Sequence, residues 1–166
     1  MDRYLLFFFL CCIQFFSCKK ALHKKLSPNV IIIQPIITQS DFGDEPSKIN
    51  LSNRLVNRAY SKLNLDFHYL EPIYFNNTNA RDGKINLDSI VSIAREEKIL
   101  KVQGDIINMF FVNAIDGNKG PTGRGMINGN LVFITLGDES KYKGLEKKYV
   151  EAFVVAHEIG HNLGLK

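Results

Sequence analysis

The stretch His157-Glu158-Ile159-Gly160-His161 places two imidazoles and a carboxylate at the spacing HExxH. On an α-helix four residues rise ~6 Å and turn ~400°, so His157 and His161 project from one face, one turn apart. Two neutral imidazole nitrogens in that arrangement can hold one Zn²⁺ at ~2.0–2.1 Å. Glu158 follows the first ligand and leans toward a water on the open side of the metal. A zinc ion lowers the pKa of such a water toward ~7. Glu158 can then take its proton as it attacks a peptide carbonyl and pass that proton to the leaving nitrogen. The expected assignments are metal ligands His157 and His161, catalytic residue Glu158 and cofactor Zn²⁺. The plainer alternative makes the histidines ordinary helix residues and Glu158 a surface carboxylate.

The surrounding residues argue for the first reading. Val150, Phe153 and Val154 precede the motif and are expected to pack its helix against a sheet. Gly164 follows His161 by three residues, where a helix can end in the left-handed conformation that glycine tolerates. Neither of the other histidines makes a convincing third ligand. His68 is expected on the exposed face of a strand, and His23 lies in a basic segment near the N-terminus.

The elements that must position this helix read as follows. Asn29 to Ile37 (NVIIIQPII) is a continuous β-branched run, expected as a strand buried on both faces, bulging or ending near Pro35. A helix is expected from about Asn50 to Leu63, with Leu51, Leu55, Val56, Ala59, Tyr60 and Leu63 as its apolar stripe. Leu65, Phe67 and Tyr69 alternate with Asp66 and His68, as in a half-buried strand. Asn76 to Lys84 reads as loop. A second helix spans about Leu87 to Leu100, burying Leu87, Ile90, Val91 and Ala94. Asp105 to Ala114 is an apolar strand, Asp116 to Gly125 a glycine-rich connection, Asn128-Gly129 a hairpin turn, and Leu131 to Leu136 a last strand. A final helix runs from near Leu145 to about Leu163. This order predicts the α+β class: a twisted mixed β-sheet of about five strands, two packing helices and a C-terminal active-site helix.

The N-terminus is different in character. Tyr4 to Phe16 is an apolar run of 13 residues behind Arg3. That is the length of a signal-peptide core and short of the ~20 residues that cross a bilayer. A buried strand or helix of the fold is the alternative. The run ends Phe15-Phe16-Ser17-Cys18-Lys19-Lys20, which resembles a bacterial lipoprotein box with Cys18 as the lipidated residue, ordinary secretion being the alternative. Residues 1–17 are therefore expected as a signal peptide, 18–28 as a basic tether and 29–166 as the functional body. All three cysteines lie at or before Cys18, so processing there leaves no thiol for a disulfide, a metal or a nucleophile. Lys19, Lys20, Lys24 and Lys25 account for the net charge of +4, and the body from Leu26 onward is neutral by formal count. No other dense basic cluster occurs, which speaks against nucleic acid as a partner. The expected localisation is exported, membrane-anchored through a lipid at Cys18, and otherwise secreted.

The segment HEIGHNLGLK resembles the signature HExxHxxGxxH of the metzincin zinc peptidases. His157, Glu158, His161 and Gly164 match its first four fixed positions. The resemblance extends upstream. Leu55 to Leu70 looks like the family's first helix leading into its second strand, Met109 to Asn118 like the strand before the cleft, and Gly123 to Leu136 like the edge-strand region. The look is nearest to the pappalysin-like branch.

The resemblance implies a protein or peptide substrate held by strand addition to an antiparallel edge strand, somewhere between Arg124 and Leu136. It also implies that Gly164 bends the chain so that a third His reaches the zinc. That His would follow Lys166 directly, and the Met-containing turn and lower subdomain of the family would lie further on. The chain is accordingly expected to be the upper part of a zinc metalloendopeptidase domain, an incomplete or truncated copy that binds zinc weakly. Two other readings stand beside it: a non-catalytic surface lipoprotein that keeps the fold as a binding module, and a gene remnant that never folds stably.

Overall fold

Alternation of large apolar side chains along three parallel strands builds a sheet with a core on each face. In the computed structural model, residues 29–49, 53–102, 106–127, 129–136 and 143–165 are described. The elements in chain order are β1 (Asn29–Gln39), α1 (Asn53–Tyr60) with a 3₁₀ turn (Ser61–Leu63), β2 (Leu65–Tyr69), β3 (Ile73–Asn76), α2 (Thr78–Arg81), α3 (Leu87–Glu96), β4 (Ile106–Phe111), β5 (Thr122–Gly125), β6 (Leu131–Thr135) and α4 (Gly144–Asn162). The sheet runs β2-β1-β4-β6-β5, with β3 pairing the same side of β1 beyond β2. Every pairing is parallel except β5 with β6, which forms the antiparallel edge. The mixed sheet with packing helices and a C-terminal helix expected from the sequence is therefore present, with six strands in place of about five.

Ile107, Met109 and Phe111 of β4 and Val132 and Ile134 of β6 face α1 and α4, where they meet Val56, Tyr60, Val155 and Ile159. Phe110 and Phe133 point the other way, stack at 4.8 Å, and pack with Ile90 and Ala94 of α3. One face of the sheet thus carries the HExxH helix, and the other is closed by α3.

Several expectations need correcting. β1 does not stop at Pro35 but continues to Gln39. Its neighbours on one side are β2 up to Tyr69 and β3 from Ile73, so the missing Pro35 N–H falls at the gap between them. The Gln34 side-chain amide bridges that gap, donating to Pro35 O at 2.9 Å and Glu71 O at 2.8 Å. Residues 76–84 are not all loop: Asn77 Oδ1 accepts from Ala80 N at 2.8 Å and caps the short helix α2. The second expected helix ends four residues early. Lys98 takes a left-handed conformation (φ 59°), with Ile99 N bonded to Ala94 O and Lys98 N to Arg95 O.

Within the first expected helix, Val56 and Tyr60 are buried, whereas Ala59 and Leu63 are exposed. Leu51, the hairpin residue Asn128, the signal peptide, the tether, His23 and Cys18 lie outside the described residues. Among the described residues no helix is long and apolar enough to cross a membrane.

Candidate metal centre and active site

Helix α4 buries Glu151, Ala152, Val155, Glu158, Ile159 and Asn162, a stripe with helical spacing that faces the sheet and β5. The flanking row is left open. Phe153, expected to face the sheet, is 69% exposed, Val150 and Val154 are half-buried, and the sheet contact falls instead to Ala152, Val155 and Ile159. The cause is a phase difference of about one residue: Phe153 shares the i, i+4, i+8 row with His157 and His161, which must stay open if they are to act. Phe153 stacks on the His157 ring at 6.0 Å between centroids.

His157 and His161 converge. Their Nε2 atoms are 3.2 Å apart and their rings stand at 83° to each other. Two nitrogens on adjacent corners of a tetrahedral zinc site, each ~2.0–2.1 Å from the ion, stand ~3.3 Å apart. The pair therefore fits two corners of such a site. The His161 ring is braced from behind: its Nδ1 lies 3.2 Å from Leu165 O. A proton on Nδ1 donated to that carbonyl leaves Nε2 with a free lone pair, the form that binds metal.

Gly164 makes the brace possible. Its φ of 80° turns the chain back, so that Leu165 N bonds to Gly160 O at 2.9 Å and Gly164 N to His161 O at 3.0 Å. Among the described residues no group of three His, Cys, Asp or Glu side chains could hold a metal ion. His68 is on the exposed face of β2, in register with Ile32 of β1.

Glu158 is 7% exposed and its carboxylate makes no hydrogen bond or ion pair with another described residue. It lies against the backbone of β5. A Cβ on Gly123 would stand 2.4 Å from Glu158 Cγ and 3.1 Å from its Oε1, and one on Gly125 would stand 2.4 Å from Glu158 O and 3.1 Å from His161 Cβ. Neither glycine has a positive φ, so space, not backbone conformation, requires them. Thr122–Gly125, which local pattern puts in the glycine-rich connection and the family resemblance puts in the edge-strand region only from Gly123 on, is the edge strand. The usable signal was the alternation Thr-Gly-Arg-Gly, with small residues at every second position.

On the opposite flank, Tyr60 Oη donates to Ala156 O at 2.5 Å beneath Gly160. Burial pushes the Tyr60 hydroxyl pKa up, which keeps it a donor across the physiological range.

A helix bearing two converging imidazoles and a buried carboxylate, packed under the antiparallel edge of a mixed sheet, is the arrangement of a metallopeptidase. The chain belongs to the metallo-peptidase family M12B, reprolysin-like, which matches residues 47–166. It is similar to a crystal structure of archaemetzincin from Archaeoglobus fulgidus complexed with malonate, at 19% identity and a TM-score of 0.45, covering 83% of this chain and 80% of that one. No curated protein matches the chain.

Proposed function

We propose that the protein is a zinc-dependent metalloendopeptidase in which His157 and His161 hold the metal and Glu158 acts as general base and then acid. The observation that carries this reading is the 3.2 Å approach of the two Nε2 atoms beside the buried Glu158 carboxylate. Zinc, when bound, supplies Lewis-acid polarisation and lowers the pKa of a water to near neutrality. The chain's own part is to hold the ion at two imidazoles, to brace His161 from Leu165 O, and to keep an uncommitted carboxylate ready to accept and release a proton.

The edge strand supports a peptide substrate. Met126 N bonds to Leu131 O, and the register pairs Gly125 with Val132 and Arg124 with Phe133. Antiparallel pairing alternates, so Thr122 and Arg124 turn their N–H and C=O toward β6 while Gly123 and Gly125 turn theirs to the open edge. A peptide adding to β5 would bond to Gly123 and Gly125, the two residues whose missing side chains admit Glu158. Within the metallopeptidases, the segments Leu55 to Leu70 and Met109 to Asn118 favour the pappalysin-like branch as a finer assignment. Catalytic zinc sites commonly use three protein ligands. Two imidazoles alone bind zinc weakly, and full activity needs a further donor, which no cluster among the described residues supplies. Export and lipid attachment at Cys18 complete the proposal. Loss of lipid labelling in Cys18→Ala would support the anchor, and unchanged labelling would remove it.

The decisive experiment measures zinc binding by calorimetry and cleavage of a quenched fluorescent peptide at saturating zinc. Glu158→Gln should keep zinc and lose cleavage by ~10²–10⁴-fold, and His161→Ala should lose zinc. Cleavage that survives Glu158→Gln, or that needs no zinc, would refute the assignment. Tight one-to-one zinc binding lost in His161→Ala would instead reveal a third donor, from elsewhere in the chain or from a second copy. A second reading, a surface binding module without catalysis, draws on the groove of about 740 Å³ between α1 and α4, lined by Leu55, Ala59, Tyr149 and Phe153. A monomeric, cooperatively melting protein with no zinc and no cleavage would favour it.

A further inference from the structure

Asn162 is the last residue of α4, directly after the second imidazole of the pair, and it is buried. Its Nδ2 donates to two carbonyls of the β5–β6 hairpin, Met126 O and Leu131 O, each at 3.0 Å. These carbonyls flank the turn that closes the hairpin. One side chain thus ties the end of the metal-binding helix to the mouth of the edge-strand hairpin. One residue away, Gly125 rests on Glu158 O and His161 Cβ.

Two features separate this tie from ordinary packing. Both carbonyls already have backbone donors: Leu131 O accepts Met126 N and Met126 O accepts Gly129 N, each at 3.0 Å. Removing the Asn162 amide therefore orphans neither of them. Furthermore, Asn162 Oδ1 is buried with no hydrogen-bond partner among the described residues. A buried unsatisfied amide oxygen is destabilising, and an apolar residue of similar size would avoid that penalty. The side chain is thus poorly suited to stabilising the fold and well placed to fix one element against another.

We propose that Asn162 is a positioning residue that fixes β5 at the height of Glu158 and the imidazole pair, so that a peptide added to the strand edge meets both. This rests on the metallopeptidase reading above. The metal ligands sit within one helix at i, i+4, so their mutual geometry does not depend on the hairpin. Loss of the tie should loosen the edge strand and leave the metal pair intact.

The test uses the full chain with zinc and three variants: Asn162→Ala, the apolar near-isostere Asn162→Leu, and Asn77→Ala, which removes a helix cap elsewhere as a stability control. Amide hydrogen exchange, zinc affinity against a competing chelator, and kcat and KM on a quenched fluorescent peptide are measured. Both Asn162 variants should exchange Arg124 and Met126 amides at least tenfold faster and raise KM at least tenfold. Zinc affinity should stay within threefold and kcat should change less than KM. Asn77→Ala should lower the melting temperature without either effect. Unchanged exchange at β5, or zinc affinity falling in step with KM, would overturn the proposal. If the wild-type chain neither binds zinc nor cleaves, the metallopeptidase reading fails, while the exchange measurements still decide whether Asn162 holds β5.

Discussion

Gly123 and Glu158 share one space: a Cβ on the glycine would stand 2.4 Å from the glutamate Cγ, far inside van der Waals contact. Gly123→Ala must therefore push the carboxylate off the strand or the strand off the helix. A displacement of ~1 Å at a reacting group can cost ~10²-fold. We expect Gly123→Ala to retain zinc and lose about that factor in kcat/KM. Gly120→Ala, whose Cβ would meet only Asn118 Oδ1 at 3.3 Å, should stay near wild type. Steady-state kinetics with metal analysis decides the matter, and wild-type kinetics in Gly123→Ala would show that the close approach has no catalytic consequence.

Gly164 carries a conformational demand instead. At φ 80° a Cβ is strained by ~1–2 kcal/mol. The turn it makes delivers Leu165 O to His161 Nδ1, and losing such a support typically costs 10–100-fold in metal affinity. Gly164→Ala should thus lower stability by about 1 kcal/mol and zinc affinity by about tenfold. Gly164→Asn should be milder in both, because Asn tolerates the left-handed region. Chemical denaturation and chelator competition give the two numbers.

How much of this was legible beforehand differs by element, for physical reasons. The metal helix was readable because two chemical signals coincide on it, a ligand spacing and a helical apolar stripe. β5 is hidden from local pattern, and only the family resemblance points to an edge strand there, because its glycines leave the space Glu158 needs and glycine in a sequence more often signals a turn. β3 is four residues long and gains its pairing from β1, a tertiary fact that local pattern does not contain. The end of α3 was missed because Lys98, not glycine, takes the left-handed position. Hydrophobicity points Phe153 to the core. Its exposed place beside His157 depends on the helix phase, which an error of one residue inverts.

Tyr60 tests the support of α4 from below. Its hydroxyl donates to Ala156 O, one residue before His157, and its ring meets Phe67 edge-on at 5.0 Å. Tyr60→Phe keeps the ring and removes the bond, so stability should fall by about 1 kcal/mol. The midpoint of urea denaturation should move with no change in slope. A changed slope would mean that α4 itself has loosened.

The last prediction concerns pH. Arg81 is buried and its Nε donates to Asp82 Oδ1 at 2.8 Å while Nη1 donates to Glu45 Oε2 at 2.7 Å. The Arg81 hydrogen bond, with help from Lys84 Nζ at 3.1 Å, holds the Asp82 carboxyl below the usual carboxylate range. A carboxylate whose folded pKa lies below its unfolded value of ~3.9 adds stability above that value and loses it as pH falls through the folded one. Asp82→Asn should accordingly cost about 2 kcal/mol at pH 7, the order expected for a hydrogen bond to a charged partner. The gap between variant and wild type should close as pH drops below ~4, because wild type then loses the same contribution. Denaturation curves at pH 7, 5 and 3 measure it, and a gap that stayed constant down to pH 3 would mean that Asp82 stabilises the fold by shape and not by charge.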